Sequence, residues 1–328
     1  MQNSEGNDPQ SRPQRRNLEE EKEGEIQERE QRAGEGNTAQ GQDDEYDEED
    51  QNILEDAPKY YQPGIIPQAP LKPSQKDAYD AFMSRLFNPY LPLEELREMF
   101  MKPLPALIGQ VQCTISRSKS GFDRLYPKYT LALSNGNKYM LTGKKKNMNA
   151  TSNYMITIDQ NKFAKGNNGY LGKVRSNFLG TEFYIFDNKE NPKKVAKKDE
   201  VRQQYGVVQY ETNVLGSKGP RRMKVLLPMV NKDGQEMFWA DTETHAETIQ
   251  GKFENNDSGD IMFFFNKPPK WNEQVQAFVL NFNGRVDKAS VKNFQLIDEY
   301  DDNKIYMQFG RIGKDLFNMD CAFPFSIF

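Results

Sequence analysis

Cysteine, histidine and tryptophan are scarce in this 328-residue chain, which contains two cysteines, one histidine and two tryptophans. Two cysteines cannot form the disulfide framework of a small secreted domain, and their scarcity is typical of a reducing compartment. Two cysteines and one histidine also give no spaced set of zinc ligands. His245 has no nucleophile motif beside it and is expected at the surface, while Trp239 and Trp271 are expected to pack in the core or at its rim. We therefore expect no metal, no cofactor and no enzymatic activity.

Long apolar runs are absent as well. No segment of the sequence approaches the ~18 to 20 apolar residues that a membrane-spanning helix needs. The first residues are polar and lack the apolar core of a signal peptide. These features predict a cytosolic chain whose contact with a membrane is peripheral.

Charge is divided unevenly along the chain. Residues 1–50 contain 6 Lys and Arg against 17 Asp and Glu, a net charge of −11, whereas the whole chain carries −4, so residues 51–328 carry +7. The acidic part has few large apolar side chains and cannot offset the entropy of ordering. We expect residues 1–72 to be a disordered acidic tail that ends in a proline-rich linker. The acidic run at residues 43–50 either keeps the chain soluble, docks on a basic partner or folds back to shield the basic body.

Two short helices are predicted within residues 73–104. Ser74 is a candidate N-cap with Asp77 three residues later, and apolar residues follow at helical spacing. A second helix is predicted over residues 93–100. Both helices are expected to pack on the domain that follows, and contact with a partner is the alternative.

From Ile108 onward the pattern changes to short runs of alternating apolar and polar residues, separated by turns of Gly, Asn, Asp and Pro. The predicted strands cover residues 111–115, 129–133, 138–141, 154–158, 183–186, 207–210, 224–227, 261–265, 277–282, 294–297 and 305–310. Many short strands without intervening helices are typical of an antiparallel barrel or sandwich. The sequence therefore predicts a mainly β domain over residues 105–328.

Lys173 and Arg175 stand two residues apart in a further predicted strand. Alternate residues of a strand point to the same face, so the ammonium and guanidinium groups would project together from a stiff surface. The planar guanidinium can make two-point contact with a phosphate, and the ammonium adds a mobile point charge. The pair predicts a site for an anion.

Three segments resemble the carboxy-terminal domain of the tubby-like family: SNYMITID at residues 152–159, GYLGKVRSNFLGTEF at 169–183 and FNGRVDKASVKNFQ at 282–295. The resemblance runs from residue 107 to the end of the chain. It implies a closed antiparallel β-barrel of about twelve strands around a buried apolar helix. Closure removes the sheet edges, so we expect a monomer.

In that family the filling helix follows a segment similar to FNMDCAFPFSIF, which here occupies residues 317–328. We expect a barrel that lacks this helix through truncation. The alternative is a partial plug made by the last apolar side chains, Phe323, Phe325, Ile327 and Phe328.

The resemblance also implies that phosphatidylinositol 4,5-bisphosphate binds to the outer surface of the barrel. The family holds this lipid with an Asn, a Lys and two Arg, which match Asn153, Lys173, Arg175 and Arg202 by motif position. It further implies a membrane-tethered adaptor in the trafficking of membrane receptors to cilia, with the intraflagellar transport machinery and receptor cargo as partners. The chain would then lie at the plasma or ciliary membrane, or in the nucleus.

A nucleic-acid-binding transcription regulator is the alternative function, because the body carries a charge of +7. The sequence shows no recognition helix, zinc module or aromatic and basic strand face that would read bases. We therefore expect nucleic acid not to be the partner.

Further basic residues are candidates for a membrane rim. Lys144, Lys145 and Lys146 would each add roughly 1 kcal/mol if they faced an anionic leaflet; the alternative is a solvated hairpin tip. The glycine-rich loop GSKGPRR lacks the Walker spacing of a phosphate loop. It is expected to be a structural turn that places Arg221 or Arg222 at the rim.

Overall fold

Antiparallel strands that follow one another along the chain close into a barrel of twelve strands. The structure is a computed structural model. It describes residues 72–328 apart from positions 120, 148, 150, 196, 212–221, 232–233 and 275–276. The predicted closed antiparallel β-barrel is confirmed.

The helices are α1 (Pro73–Phe87), α2 (Leu93–Met101) and α3 (Ile249–Glu254). The strands are β1 (Val111–Ser118), β2 (Lys128–Leu133), β3 (Tyr139–Lys145), β4 (Asn153–Thr157), β5 (Tyr170–Ser176), β6 (Glu182–Asp187), β7 (Gln204–Tyr210), β8 (Met223–Pro228), β9 (Ile261–Asn266), β10 (Lys270–Asn272), β11 (Ala277–Val279), β12 (Phe294–Ile297), β13 (Met307–Arg311) and β14 (Leu316–Cys321). Sequence neighbours pair throughout the barrel, except that β9 pairs with β12 and β1 pairs with β14 to close it. β10 and β11 form a separate two-stranded sheet.

Two regions differ from the predicted strands. Part of the run at residues 277–282 lies in the small sheet outside the barrel, where Trp271 is half-exposed. β14 is absent from the predicted strands, although its residues alternate between apolar and polar from Phe317 to Cys321. Asn318 and Asp320 of this strand point to the outer face and are covered there by Arg285, which bonds to both residues.

The two helices before the barrel pack on it. α1 begins at Pro73, so Ser74 lies in its first turn and the predicted N-cap is wrong. The backbone N–H of Lys72 donates instead to Gln75 Oε1 at 3.1 Å. Leu86 of α1 and Phe100 of α2 are buried in the main apolar core, which confirms the expected packing role.

The main core combines inward-pointing side chains of the barrel strands with the last residues of the chain. Phe325 and Ile327 are buried in this cluster and Phe328 packs against it, whereas Phe323 is half-buried. The backbone N–H of Leu104 donates to the carbonyl of Phe325 at 2.9 Å. Three of the four side chains considered for a partial plug thus belong to the core.

A second apolar cluster lies on the opposite, outer face of the wall formed by β7–β9. Val207, Leu226 and Ile261 point away from the main core and are covered by Trp239 and by Ile249 of α3. Trp239 is therefore a packing residue, as predicted. This outer cluster identifies which side chains of the neighbouring strands face outward.

Candidate functional site

Strand register places two predicted residues on the outer face of the barrel. Asn153 of β4 pairs with Arg175 of β5, Arg175 pairs with Tyr184 of β6, and Tyr184 pairs with Val207 of β7. Directly paired residues of antiparallel strands project from the same face of a sheet. Because Val207 belongs to the outer cluster, Asn153 and Arg175 lie on the outer face as well.

A second row of paired residues runs beside the first. It links Lys144 of β3, Met155 of β4, Lys173 of β5 and Phe186 of β6. Lys173 stands two residues from Arg175 on the same strand, so it also faces outward. The structure therefore brings the ammonium and guanidinium groups to one face, as their spacing predicts.

Arg202 reaches this face from the connection between β6 and β7. Its guanidinium carbon Cζ lies 3.8 Å from the centre of the Phe186 ring. Its Nε donates to Asp241 Oδ2 at 2.7 Å, and both side chains of this ion pair are 9% exposed. Since Phe186 pairs directly with Lys173, the stacked guanidinium is held beside the lysine.

Positive charge is concentrated around Lys173. Partial burial, and then the nearby Arg202 guanidinium, lower the pKa of Lys173 to about 8. Lys165 and Arg175 act in the same direction, and Glu190 opposes them. The carboxylate of Glu190 is itself bound by the ammonium of Lys165. An anion placed between these cations would relieve their repulsion, so the cluster is suited to bind one.

The amide of Asn153 has one end without a partner. The residue is 8% exposed, its Nδ2 donates to Asn149 Oδ1 at 3.4 Å, and its Oδ1 accepts no hydrogen bond within the described part of the chain. Buried polar atoms are normally paired. Oδ1 can accept from a hydroxyl of a ligand, and a half-turn of the amide would present its N–H₂ group there instead. Asn153 can therefore add a directional polar contact to the site.

The side chains of Lys144, Lys145 and Lys146 do not share one face of the barrel wall. Lys144 faces outward in the second row, and Lys145 points to the other face because β3 continues through it. The backbone N–H of Lys146 donates to the carbonyl of Asn153 at 2.8 Å, and its side chain is exposed. Two of the three lysines thus border the site.

Arg221 lies outside the described residues, together with most of its glycine-rich loop. Arg222 is exposed, and its Nη1 lies 3.9 Å from Glu211 Oε2. It lines an outer groove of about 650 Å³ beside β8 and β9, which includes none of the four predicted lipid-binding residues.

Sequence reasoning misses three residues that shape the site. Asp241 orients Arg202 from the connection between β8 and β9, and no motif links these two positions. Phe186 becomes recognisable as a stacking platform only when the register of β5 and β6 is known. Lys165 lies in the connection between β4 and β5, and its contribution appears only through its effect on the pKa of Lys173.

Among the described residues, no helix has the length and apolar character needed to cross a membrane. Within the same part of the chain, no three His, Cys, Asp or Glu side chains are grouped closely enough to hold a metal ion. His245 is exposed at the surface, as predicted.

Fold and site together define a closed β-barrel protein with a cluster of cationic side chains on its outer wall. The sequence model of the Tub family matches residues 100–328. Tubby-related protein 3 of Mus musculus is 38% identical over 239 residues, which cover 71% of this chain and 52% of the mouse protein. Tubby-related protein 2 of Homo sapiens is 39% identical over 242 residues, covering 71% of this chain and 46% of the human protein.

A nematode relative gives the same result. Tubby protein homolog 1 of Caenorhabditis briggsae is 41% identical over 227 residues, which cover 66% of this chain and 53% of the nematode protein. The chain spans about half the length of the curated relatives it matches. The chain belongs to the Tub family, and the resemblance drawn from its sequence motifs is confirmed.

Proposed function

We propose that this chain is a membrane-tethered adaptor that binds phosphatidylinositol 4,5-bisphosphate on the outer face of β4, β5 and β6. The observation that carries the proposal is the convergence of Lys173, Arg175 and Arg202 on one rigid wall. Partial burial, and then repulsion by the neighbouring cations, lower the pKa of Lys173. A ligand with clustered negative charge matches this arrangement.

The headgroup chemistry fits the donors that are present. Two phosphates on neighbouring carbons of an inositol ring need two or three cations that converge from one side. Lys173 and Arg175 start about 7 Å apart along β5, and their long side chains can converge on adjacent phosphates. Arg202 stacks on Phe186 and donates through its Nε to Asp241. Its terminal nitrogens would donate to the ligand. The ring hydroxyls can pair with the Asn153 amide.

The expected affinity suits reversible recruitment to a membrane. Hydrogen bonds to charged groups contribute about 1.5 to 3 kcal/mol each. Three or four of them, reduced by the cost of ordering the ligand and the long side chains, correspond to a dissociation constant of micromolar order.

Vesicle flotation tests the proposal. The intact chain is compared with a Lys173→Ala, Arg175→Ala double variant on vesicles that contain the bisphosphate lipid. Losing two charge-assisted contacts is expected to weaken binding at least about a hundredfold. A Lys224→Ala, Lys267→Ala variant is the matched control, because it removes the same charge from the outer groove beside β8 and β9.

The two variants separate a specific site from general attraction. The control variant should bind the bisphosphate vesicles nearly as well as the intact chain. Equal binding by all three proteins, or equal weakening of the two variants, would contradict a lipid site on β5.

The cellular part of the proposal follows the family resemblance. We propose that the chain is cytoplasmic, lies at the plasma or ciliary membrane, and serves the trafficking of membrane receptors with the intraflagellar transport machinery. Its activity is binding and tethering, without catalysis. In ciliated cells, the Lys173→Ala, Arg175→Ala variant should leave the membrane fraction; unchanged membrane localisation would contradict this role of the lipid.

A nucleic-acid-binding regulator is the second candidate, favoured by the charge of +7 on residues 51–328. A gel shift with sequence preference, combined with no binding to bisphosphate vesicles, would favour nucleic-acid binding over lipid binding.

A further inference from the structure

The tip of the β5–β6 hairpin exposes two large apolar side chains. Phe178 is 84% exposed and Leu179 is 78% exposed. Single exposed apolar residues are ordinary on protein surfaces. Two adjacent ones at the centre of a tight turn are unusual, because these positions favour Gly, Pro, Asn, Asp and Ser. The pair therefore packs very little against the part of the chain that the structure describes.

The turn that carries the pair is firmly braced. The backbone N–H of Gly180 donates to the carbonyl of Asn177 at 3.3 Å, and Gly180 has a φ of 69°, in the left-handed region. The Asn177 Oδ1 accepts from the backbone N–H groups of Thr181 at 3.0 Å and Glu182 at 3.3 Å. Its Nδ2 donates to Thr181 Oγ1 at 3.0 Å and to Glu182 Oε2 at 3.2 Å. The bracing holds the apolar pair away from the barrel.

Basic residues surround the same end of the barrel. In an antiparallel meander, alternate connections emerge at one end, so the described residues of the β1–β2, β3–β4 and β7–β8 connections that flank these strands lie at the end of the β5–β6 tip. These connections display the exposed Arg124, Lys146 and Arg222, and the exposed Leu125 adds a further apolar side chain. Exposed apolar residues among cations match the surface of an anionic bilayer.

Distances along the hairpin connect the tip to the lipid site. At ~3.3 Å per residue, Arg175 lies about 10 Å and Lys173 about 17 Å from Phe178 along the strand, and less along the barrel axis because barrel strands tilt. The interfacial layer of a leaflet is about 5 to 8 Å thick. A tip that reaches the hydrocarbon boundary would therefore hold Arg175 and Lys173 just above the lipid phosphates, at the height of a projecting inositol headgroup.

We propose that Phe178 and Leu179 are an apolar anchor that inserts into the leaflet whose bisphosphate lipid occupies the neighbouring cation site. The anchor rests on the proposed function and extends it from headgroup recognition to insertion into the bilayer. Because the turn is rigid, the apolar side chains and the cation site can contact the same leaflet at the same time.

The anchor predicts different outcomes for vesicles and for free headgroup. Burial of one large apolar side chain changes an equilibrium constant by roughly ten- to a hundredfold. A Phe178→Ser, Leu179→Ser variant removes two such side chains and is therefore expected to bind bisphosphate vesicles at least about tenfold more weakly than the intact chain. By calorimetry, it should bind soluble inositol 1,4,5-trisphosphate as well as the intact chain does.

Two controls make the comparison specific. Tyr300→Ser removes another strongly exposed side chain, 85% exposed, from the β12–β13 connection at the other end of the barrel, and should leave both measurements unchanged. The Lys173→Ala, Arg175→Ala variant should lose both vesicle and headgroup binding. A Leu179→Trp variant should show blue-shifted emission, quenched by nitroxide-labelled lipid, only on bisphosphate vesicles.

The outcomes that overturn the anchor differ from those that overturn the site. Full vesicle binding by the Phe178→Ser, Leu179→Ser variant overturns the anchor and leaves the proposed function in place. Loss of soluble headgroup binding in that variant, at an unchanged melting temperature, assigns the tip to headgroup contact and also overturns the anchor. Failure of the intact chain to bind either probe overturns both proposals.

Discussion

Raising the pH from 7 to 9 should weaken the binding of bisphosphate lipid through a single side chain, Lys173. Its pKa is lowered to about 8 by partial burial and by the cations around it, with Arg202 the largest of them. Lys165 and Arg175 add to the shift and Glu190 reduces it. The free site therefore loses the lysine charge as the pH rises through 8.

The size of the effect follows from this pKa and from that of the bound state. A bound phosphate restores the charged form, so the pKa in the complex returns to about 10.4, the ordinary value for lysine. Between pH 7 and pH 9 the neutral-to-charged ratio of the free lysine changes from about 0.1 to about 10, while the bound lysine stays charged. The dissociation constant should rise about tenfold over this range.

The assay is vesicle flotation or calorimetry at pH 7, 8 and 9 with the intact chain and a Lys173→Arg variant. Arginine stays charged throughout this range, and any titration of the lipid phosphates affects both proteins alike. The ratio of the two dissociation constants isolates the lysine and should change about tenfold. Identical pH profiles for both proteins would refute the assignment of a titrating lysine to the site.

The remaining predictions concern stability and the support of the site. Between pH 8 and 10.5 the unfolded chain binds more protons at Lys173 than the folded chain, so the free energy of unfolding should rise with pH over that window. This effect is opposite to the effect of pH on lipid binding. If the difference in free energy of unfolding between the intact chain and Lys173→Arg stays constant with pH in denaturant titrations, the prediction is contradicted. Asp241→Asn should weaken vesicle binding several-fold by loosening Arg202 and lower stability by about 1 to 3 kcal/mol; unchanged binding would show that this ion pair does not position the guanidinium. Arg285→Met should lower the free energy of unfolding by about 3 to 5 kcal/mol, because it leaves the buried carboxylate of Asp320 without its cation; a loss below about 1 kcal/mol would count against that pair.

Alternation along the strands predicts most of the barrel because inward positions are apolar in nearly every strand. β14 also alternates from Phe317 to Cys321, although it is not among the predicted strands, and its outward Asn318 and Asp320 are buried by contacts with Arg285, a residue remote in sequence. Alternation fails for part of residues 277–282, which pair in the small outer sheet. In both places, tertiary contacts decide what the local pattern leaves open.

Local spacing in the sequence predicts one part of the site, and tertiary contacts determine the other part. The period of two in a strand is enough to bring Lys173 and Arg175 to one face. The same period places Lys144 and Lys145 on opposite faces of β3. From the sequence alone, the lysine triplet is treated as one hairpin tip and these two residues are not distinguished. The position of Arg202 depends on a stacked ring from β6 and a carboxylate from a distant connection, and neither is visible in its own segment.

A crystal structure of the domain with soluble glycerophosphoinositol 4,5-bisphosphate is the most direct test of the lipid site. The ring phosphates are expected within about 2.7 to 3.2 Å of Lys173 Nζ and of the guanidinium nitrogens of Arg175 and Arg202. Phosphates found instead in the outer groove beside β8 and β9, with these three side chains making no contact with the ligand, would contradict it.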